Sequence, residues 1–431
     1  MKRILIPSVA LLLAAAPLLA QDGGDESKEL RTRLEAAEEK IRKLEEAAAS
    51  RADPASLDRA VAEYLEKTAP SAPPTSSHAG YDGGFFLKSG DGRWLLRVNA
   101  LMQFRFVSNH QEETLGDPER HGFENTRTRL VFAGHAWSPS WTYRIEGDFD
   151  FDGGELTLLD AHISHDFGNG WAIQFGQCKC PVLREEKVDE AYQLAVERST
   201  VNDVLTSGER FGGGVAVSWS GTQFRAIGMF SDGDGTPNSP ALAFDTEYAV
   251  TFRGEWLVKG QWSQFVDFTS FRGNAPGLMI GFNVHSQKGE SGTPAAEPRA
   301  LLFAVDVNLE LDGANAFAEF IYLNLDTDSA DGTRECLGVI VHGGYFVSET
   351  IEVFARYEWA TLDDTNALAD ELSIVTVGVN KYIERHDIKC TLDVGYALEP
   401  VPAVGKRGGF RVDTPFGDGQ VVVRIQIQLV F

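Results

Sequence analysis

The 431-residue sequence is poor in cysteine, in positive charge and in long apolar segments. Its four cysteines, Cys178, Cys180, Cys336 and Cys390, are too few for a disulfide scaffold, and the first two have no further ligands at zinc spacing. The 39 Lys and Arg residues are outnumbered by 63 Asp and Glu residues, for a net charge of −24. Because nucleic acid is bound through excess positive charge, that partner is not expected.

The single long apolar run lies at the N-terminus. Lys2 and Arg3 precede it and it ends in small residues at Ala20, which predicts a signal peptide over residues 1–20. An uncleaved helical anchor is the alternative. Since no comparable run follows, we expect the mature chain to be either soluble and exported or inserted in a membrane as a β-barrel.

Residues 21–67 have the pattern of helices. Leu30, Leu34, Ala37, Ile41 and Leu44 follow a 3.5-residue spacing, which predicts a short coiled coil. It is expected either to trimerise in the periplasm or to tether the chain to the cell wall, and an isolated helix is the third possibility. Residues 68–80 are rich in Pro and Ser and predict a linker.

From residue 81 to residue 431 the apolar period changes to two. Segments such as RWLLRVNALMQFRFV and QVVVRIQIQLVF alternate apolar and polar residues, and about sixteen such segments are present. A soluble sandwich also alternates, but runs of ten or more residues with aromatic ends suit membrane-crossing strands. The predicted fold is therefore all-β, an antiparallel transmembrane β-barrel of about 16 strands preceded by the coiled coil.

The stretch DFDFDGGE, residues 148–155, resembles the start of a calcium loop. The twelfth position of that loop, which needs a bidentate Glu, is Leu159. We therefore interpret Asp148 and Asp150 as the polar face of a strand and Asp152 with its two following glycines as a hairpin turn.

Residues 124–219 resemble the phosphate-selective porin O and P family. The similar segments are ENTRTRLVFAGHAW, LLDAHISHDF, FGQCKCPVLREE and VERSTVNDVLTSGERFGGGVAV, in that order, and the chain ends in Phe431. The resemblance implies a trimeric, sixteen-stranded outer-membrane barrel that passes small anions such as phosphate. It also implies pore-lining roles for Arg127, Arg129 and Lys179.

Alternation adds further pore-lining candidates, because these side chains share the polar faces of predicted strands: Arg97, Arg105, Arg144, Arg253 and Arg356. Carboxylates occupy the same faces, Glu146 and Glu358 among them. The pore is thus expected to be anion-selective, weakly selective or cation-preferring, and an exported envelope protein without channel activity remains the alternative.

The segment 183–210 is too long for a hairpin turn. Helical spacing within it predicts a loop that folds into the barrel and narrows it. Glu197 and Arg198 match the family's Glu-Arg pair and are predicted to brace this constriction by an ion pair.

No catalytic motif is present. The sequence has no G-x-S-x-G turn and no H-E-x-x-H pair, and no serine and histidine pair of a barrel phospholipase can be picked out. We therefore expect no enzyme activity, no cofactor and no metal site. The expected partners are outer-membrane lipid, two further copies in a homotrimer and small inorganic ions such as phosphate.

Overall fold

The structure is a computed structural model. It describes residues 32–43, 78–112, 117–206, 211–233, 238, 245–290, 298–326, 332–363, 370–401, 407–413 and 419–431. The chain divides into two compact units, Met1–Ser76 and Ser77–Phe431, which are treated separately below. The predicted signal peptide, residues 44–67 of the predicted helical segment and most of the predicted linker lie outside the described residues.

The first unit contains helix α1, residues 32–43. Glu39 pairs with Arg42 at 2.8 Å and with Lys43 at 3.3 Å, at the three- and four-residue spacings that bring side chains together on a helix. Leu34 and Ile41 are 49% and 47% exposed. The helix agrees with the predicted helical segment, whereas its assembly as a coiled coil stays a prediction. Of the helices that the structure describes, none has the length and apolar character to span a membrane.

Within its described residues, the second unit contains eighteen antiparallel strands. The strands are β1 (Ala79–Tyr81), β2 (Phe85–Lys88), β3 (Leu95–His110), β4 (Glu119–His135), β5 (Trp141–Phe149), β6 (Leu156–Gly168), β7 (Trp171–Lys179), β8 (Phe211–Ser220), β9 (Phe224–Ser231), β10 (Asp245–Lys259), β11 (Gly277–Glu290), β12 (Arg299–Leu311), β13 (Ala314–Asp326), β14 (Thr333–Phe346), β15 (Ile351–Thr361), β16 (Glu371–Glu384), β17 (Ile388–Ala397) and β18 (Val421–Val430). Strands β3–β18 pair in sequence order, and β18 pairs with β3, so sixteen strands close a barrel. The predicted fold class is confirmed.

The closing seam runs along β3. Its residues from Leu101 to His110 pair with β18, and Ala100 exchanges two backbone hydrogen bonds with Phe431, at 2.8 and 3.1 Å. Beyond the last residue of β18, β2 of the β1–β2 hairpin pairs with the start of β3, with Phe85 opposite Val98. We call the end of the barrel where β3 begins and β18 finishes the terminal end.

Alternating side chains give the barrel an apolar outer face. On β12, Phe303 and Val305 point outward and are 42% and 49% exposed, whereas Asp306 faces the lumen and is fully buried. Outward apolar side chains and inward charges suit a barrel whose outer surface contacts lipid. Closure of the barrel satisfies the backbone hydrogen bonds of every strand.

The β5–β6 connection is the predicted hairpin turn. Gly153 and Gly154 take φ values of 99° and 79°, which a side chain would strain. Asp148 faces the lumen, where it is 3.2 Å from Arg129. Asp148 and the turn agree with the interpretation of DFDFDGGE, whereas Asp150 lies just beyond the end of β5 and is not part of the strand.

The lumen is filled by a long insertion between β7 and β8, residues 180–206, which we call the inserted loop. It contains α2 (Arg184–Lys187), a 3₁₀ turn (Glu190–Tyr192) and α3 (Thr200–Thr206). Its apolar side chains, such as Leu183 and Val201, are fully buried against the wall of strands β12–β18. A dry core therefore occupies that half of the barrel.

A second segment, residues 260–276, enters the lumen from the terminal end between β10 and β11. Phe268 contacts the rings of Phe317 and His342 at centroid distances of 4.7 and 4.6 Å. Its backbone N–H donates to the carbonyl of Tyr192 in the inserted loop. The two segments thus support one another on the same side of the lumen.

Candidate functional site

Two arginines of the wall hold the carboxylate of Glu197 in the inserted loop. Arg105 Nη1 lies 2.8 Å from Glu197 Oε1, and Arg127 Nη2 lies 2.7 Å from Oε2. Arg356 Nη1 donates to the backbone carbonyl of the same residue at 2.7 Å. All four side chains are at least nine-tenths buried, so these charge-assisted bonds are shielded from solvent.

Arg198 binds a different set of groups within the loop. Its guanidinium donates to Glu190 Oε1 at 2.7 Å and to the carbonyl oxygens of Glu185, Glu186 and Val188 at 2.9 to 3.1 Å. Glu197 and Arg198 thus act separately, the first joining the loop to the wall and the second stabilising the fold of the loop. Their predicted role at a constriction stays a prediction.

Wall groups of β13 and β17 bind the backbone of the loop. Glu319 accepts the N–H of Arg184 at 2.7 Å, and Asp393 accepts the N–H of Val196 at 2.9 Å. Lys389 donates to the carbonyl of Gln193 at 2.9 Å. The inserted loop is therefore bonded across the lumen to strands on both sides.

Two cavities of the lumen lie between the inserted loop and strands β4–β10. A cavity of about 420 Å³ lies against β8–β10, and one of about 260 Å³ lies against β4–β7. Both are lined by Lys187, Asp189 and Ile227, so they adjoin. Together we call them the side path.

Charged residues dominate the lining of the side path. Seven are cations: Arg129, Arg144, Lys179, Arg184, Lys187, Arg225 and Arg253. Four are carboxylates: Glu146, Asp160, Asp189 and Glu255. Cations therefore outnumber carboxylates among the lining side chains, in a chain whose net charge is −24. Three of these cations pair with carboxylates outside the lining: Arg129 with Asp148 and Glu190, Lys179 with Glu190, and Arg253 with Asp306.

Three of these cations keep part of their surface in the open space. The side chains of Arg144, Arg225 and Lys187 are 34%, 29% and 26% exposed. Lys187 lies 3.3 Å from Glu255, and Arg144 lies 3.0 Å from Asp160. In each pair the cation is more exposed than its carboxylate, Glu255 being 2% and Asp160 14% exposed, so the cation is available to a passing anion. Asp189, which lines both cavities, is also exposed.

Burial and neighbouring charges change the ionisation of loop residues. Burial lowers the pKa of Lys187 to about 8, and the nearby Glu255 only partly opposes this. Burial alone would raise the pKa of Glu197, but Arg127 and Arg105 outweigh it and hold that pKa at about 2. Glu197 is therefore ionised at neutral pH, and Lys187 is charged there but titrates just above it.

The structure divides the predicted pore-lining residues into groups. Four line the side path: Arg129, Arg144, Lys179 and Arg253. Three others bind the inserted loop instead: Arg105, Arg127 and Arg356. Arg97 lies near the terminal end and pairs with Asp82 at 3.0 Å.

Three cations of the side path were not among the predicted residues: Arg184, Lys187 and Arg225. Arg184 and Lys187 lie in the segment 183–210 that is predicted to enter the barrel, so the basic residues of that segment could have been recognised as pore-lining candidates. Arg225 shares its strand face with Ile227 and Met229. Because this face mixes polar and apolar residues, the sequence does not reveal that it points into the lumen. Of the four cysteines, Cys178 lines the side path.

Comparison with protein families gives one match over most of the barrel. The model of the family described as phosphate-selective porin O and P matches residues 103–397. No curated protein matches the chain.

Solved outer-membrane proteins share the fold at low sequence identity. An anion-selective porin from Comamonas acidovorans is 13% identical, with a TM-score of 0.59 over 78% of this chain and 99% of that chain. OmpT of Vibrio cholerae is 12% identical, with a TM-score of 0.55 over 80% and 100% of the two chains. The outer-membrane channel DcaP of Acinetobacter baumannii is 15% identical, with a TM-score of 0.53 over 80% and 99%.

Proposed function

Because the chain belongs to the phosphate-selective porin O and P family, whose members are outer-membrane channels for small solutes, we propose that it conducts small anions along the side path. The conduction route is off-centre, between the inserted loop and strands β4–β10. The dry core on the other side of the loop has no place in it.

The observation that carries this proposal is the charge of the side path. Seven cations and four carboxylates line it. In a narrow passage with low-dielectric walls, fixed charges of one sign lower the barrier for ions of the other sign. The cations that stay partly exposed along the path, and not the acidic composition of the whole chain, set the sign of selectivity.

Lys187, Arg225 and Arg144 are the residues assigned to contact the solute. They are the most exposed cations of the lining. Arg225 is also held over the Trp262 ring, 4.4 Å from its centroid, which fixes its position at the larger cavity. Arg253, which is fully buried between Glu255 and Asp306, supports this wall without meeting the solute.

Phosphate is the family's named solute and fits the same chemistry. Arginine presents a planar fork that matches phosphate oxygens, and lysine adds a mobile point charge. The fold also matches a porin whose description is anion-selective. The proposal includes no catalytic step.

The assembly and orientation are proposed on similar grounds. One matching structure, OmpT of Vibrio cholerae, is described as a trimer form, and we assign a homotrimer to this chain. The N-terminal segment is placed in the periplasm, where the exposed Leu34 and Ile41 of α1 provide a seam for coiled-coil contact.

Charge-neutralising variants test the side path. The chloride-to-potassium permeability ratio is measured from reversal potentials of the purified protein in planar bilayers. Lys187→Gln and Arg225→Gln should each lower it, and the double variant should lower it further. Lys381→Gln is the matched control, because Lys381 is an exposed lysine of β16 outside the side path.

Two results would contradict the proposal. One is a wild-type channel that prefers potassium, which would assign control to the four carboxylates. The other is a permeability ratio that both variants leave equal to that of Lys381→Gln.

A further inference from the structure

A groove of about 580 Å³ opens beside the β1–β2 hairpin at the terminal end. It is separate from the side path. Its apolar walls come from Leu87 of β2, from Trp94 and Leu96 at the start of β3, and from Tyr143 of β5. Leu87 and Trp94 are 59% and 45% exposed. Since Tyr143 alternates with the lumen-facing Arg144, this groove belongs to the outer surface.

The floor of the groove depends on a glycine. A Cβ at Gly134 would lie 1.8 Å from the backbone oxygen of Leu95. Without it, Tyr143 crosses this position and its hydroxyl donates to that oxygen at 3.2 Å. The concavity is thus fixed by backbone and side-chain bonds.

Basic residues stand at the rim. Lys88, His78 and His135 line the groove, and Lys88 is exposed. Across the described residues, Lys88 Nζ has no carboxylate within ion-pair distance. The nearby Asp91 accepts hydrogen bonds from Ser89 Oγ at 2.6 Å and from the N–H of Arg93 at 3.0 Å. Lys88 therefore contributes a positive charge to the lining that no described carboxylate pairs with.

The surroundings are those of a membrane interface. Large aromatic side chains cluster at the same end, with Trp94 against Trp137 at a centroid distance of 4.9 Å and Trp171 51% exposed. Aromatic residues mark the headgroup level of membrane barrels. The groove is continuous with the apolar outer face, so hydrocarbon reaches it from one side and headgroups from the other.

We propose that this groove binds one anionic phospholipid, with an acyl chain between Leu87, Trp94 and Leu96 and the phosphate on Lys88. The volume is within the range of about 300–1,000 Å³ for small-molecule sites. An acyl chain matches the apolar walls, and the charge at the rim matches an anionic headgroup. The proposal does not depend on the conduction of anions.

Lipid retention tests the proposal directly. The full chain is reconstituted with equal amounts of phosphatidylglycerol and phosphatidylcholine of identical acyl chains, extracted in mild detergent and analysed by native mass spectrometry. We expect one phosphatidylglycerol per chain, retained about fivefold better than phosphatidylcholine, which is the preference that one lysine supplies near a membrane surface.

Variants separate the groove from general attraction to the lipid surface. Lys88→Glu should remove the preference, and Leu87→Glu should lower retention of both lipids. Lys381→Glu, at an exposed lysine of the same end, should behave as wild type. Heat-modified gel migration checks that each barrel is folded.

Equal retention of the two lipids by the wild-type chain would overturn the proposal. So would retention in folded Lys88→Glu equal to that of Lys381→Glu. If the chains retain no lipid and instead self-associate through this groove, the groove is a contact surface for a second copy of the chain, and the proposal is overturned.

Discussion

Replacing Glu197 with Gln should release the inserted loop from the wall. Glu197 binds Arg105 and Arg127 at 2.8 and 2.7 Å, and its side chain is only 6% exposed. The substitution keeps the size of the side chain but removes its charge, which leaves two buried guanidinium groups without their main counter-ion.

The size of the effect of Glu197→Gln follows from the pKa of Glu197. The Glu197 pKa falls from 4.5 to about 2 in the folded chain, which corresponds to about 3 kcal/mol in favour of the ionised, docked state. This stabilisation is fully present above the unfolded pKa and is lost as the pH falls through about 2. At neutral pH its loss lowers the ratio of docked to undocked loop by roughly 100-fold.

Single-channel conductance measures the consequence. Glu197→Gln should conduct more than wild type, since a released loop no longer fills the lumen, and trypsin should cut at Arg184 or Lys187 more rapidly. Glu119→Gln is the control, because Glu119 is 72% exposed on β4. Adding Arg127→Gln to Glu197→Gln should reduce the effect, since it removes one uncompensated charge.

An unchanged conductance together with unchanged trypsin resistance in folded Glu197→Gln would refute this reasoning. It would mean that the backbone bonds and the dry core hold the loop without this ion pair.

Three further predictions concern the inserted loop. Because the pKa of Lys187 is about 8, its charge is present below that pH, and anion selectivity should fall as the pH rises from 7 to 9; Lys187→Gln should remove this dependence in reversal-potential measurements. Arg198→Ala removes the 2.7 Å ion pair to Glu190 and the bonds to three carbonyls, so single-channel conductance should rise. Gly338→Val should displace α3, since a Cβ there would lie 2.6 Å from Leu205 Cδ1, and should lower the free energy of unfolding by about 1–3 kcal/mol in denaturant titrations.

Matched controls exist for two of these variants. Gly122→Val adds the same side chain on β4, where a Cβ has no atom within 4 Å, and Arg120→Ala removes an exposed arginine of that strand. A pH-independent wild-type selectivity, or conductance and stability equal to those of the controls, would contradict the corresponding prediction.

The barrel itself follows from the sequence because its pattern is local. Each strand reveals its outward face by a period of two, as Phe303 and Val305 alternate with Asp306 on β12. The length of the segment between β7 and β8 also indicates its entry into the lumen. The alternation within a strand and the length of a connection are both local features of the chain, so they can be read from a single sequence.

The partners inside the lumen do not follow from the sequence. Alternation places Arg105 and Arg144 on the same kind of face, yet the first is 2% exposed against Glu197 and the second is 34% exposed at the side path. The difference is set by the path of the inserted loop across the lumen. The segment 260–276 was missed for the same reason, since Phe268 finds its partners Phe317 and His342 only in three dimensions.

Thiol labelling of the side path tests its use by ions most directly. Ser218 lines the larger cavity and Cys178 the smaller one, so Ser218→Cys is made in a Cys178→Ser background and exposed to anionic or cationic methanethiosulfonate during conductance recording. Thr376→Cys, fully buried on β16, is the control. We expect both reagents to reduce the conductance of the Ser218→Cys channel, with the anionic reagent reacting faster, and neither to affect the control. Unchanged conductance after complete labelling of Ser218→Cys, or faster reaction of the cationic reagent, would contradict anion conduction along the side path.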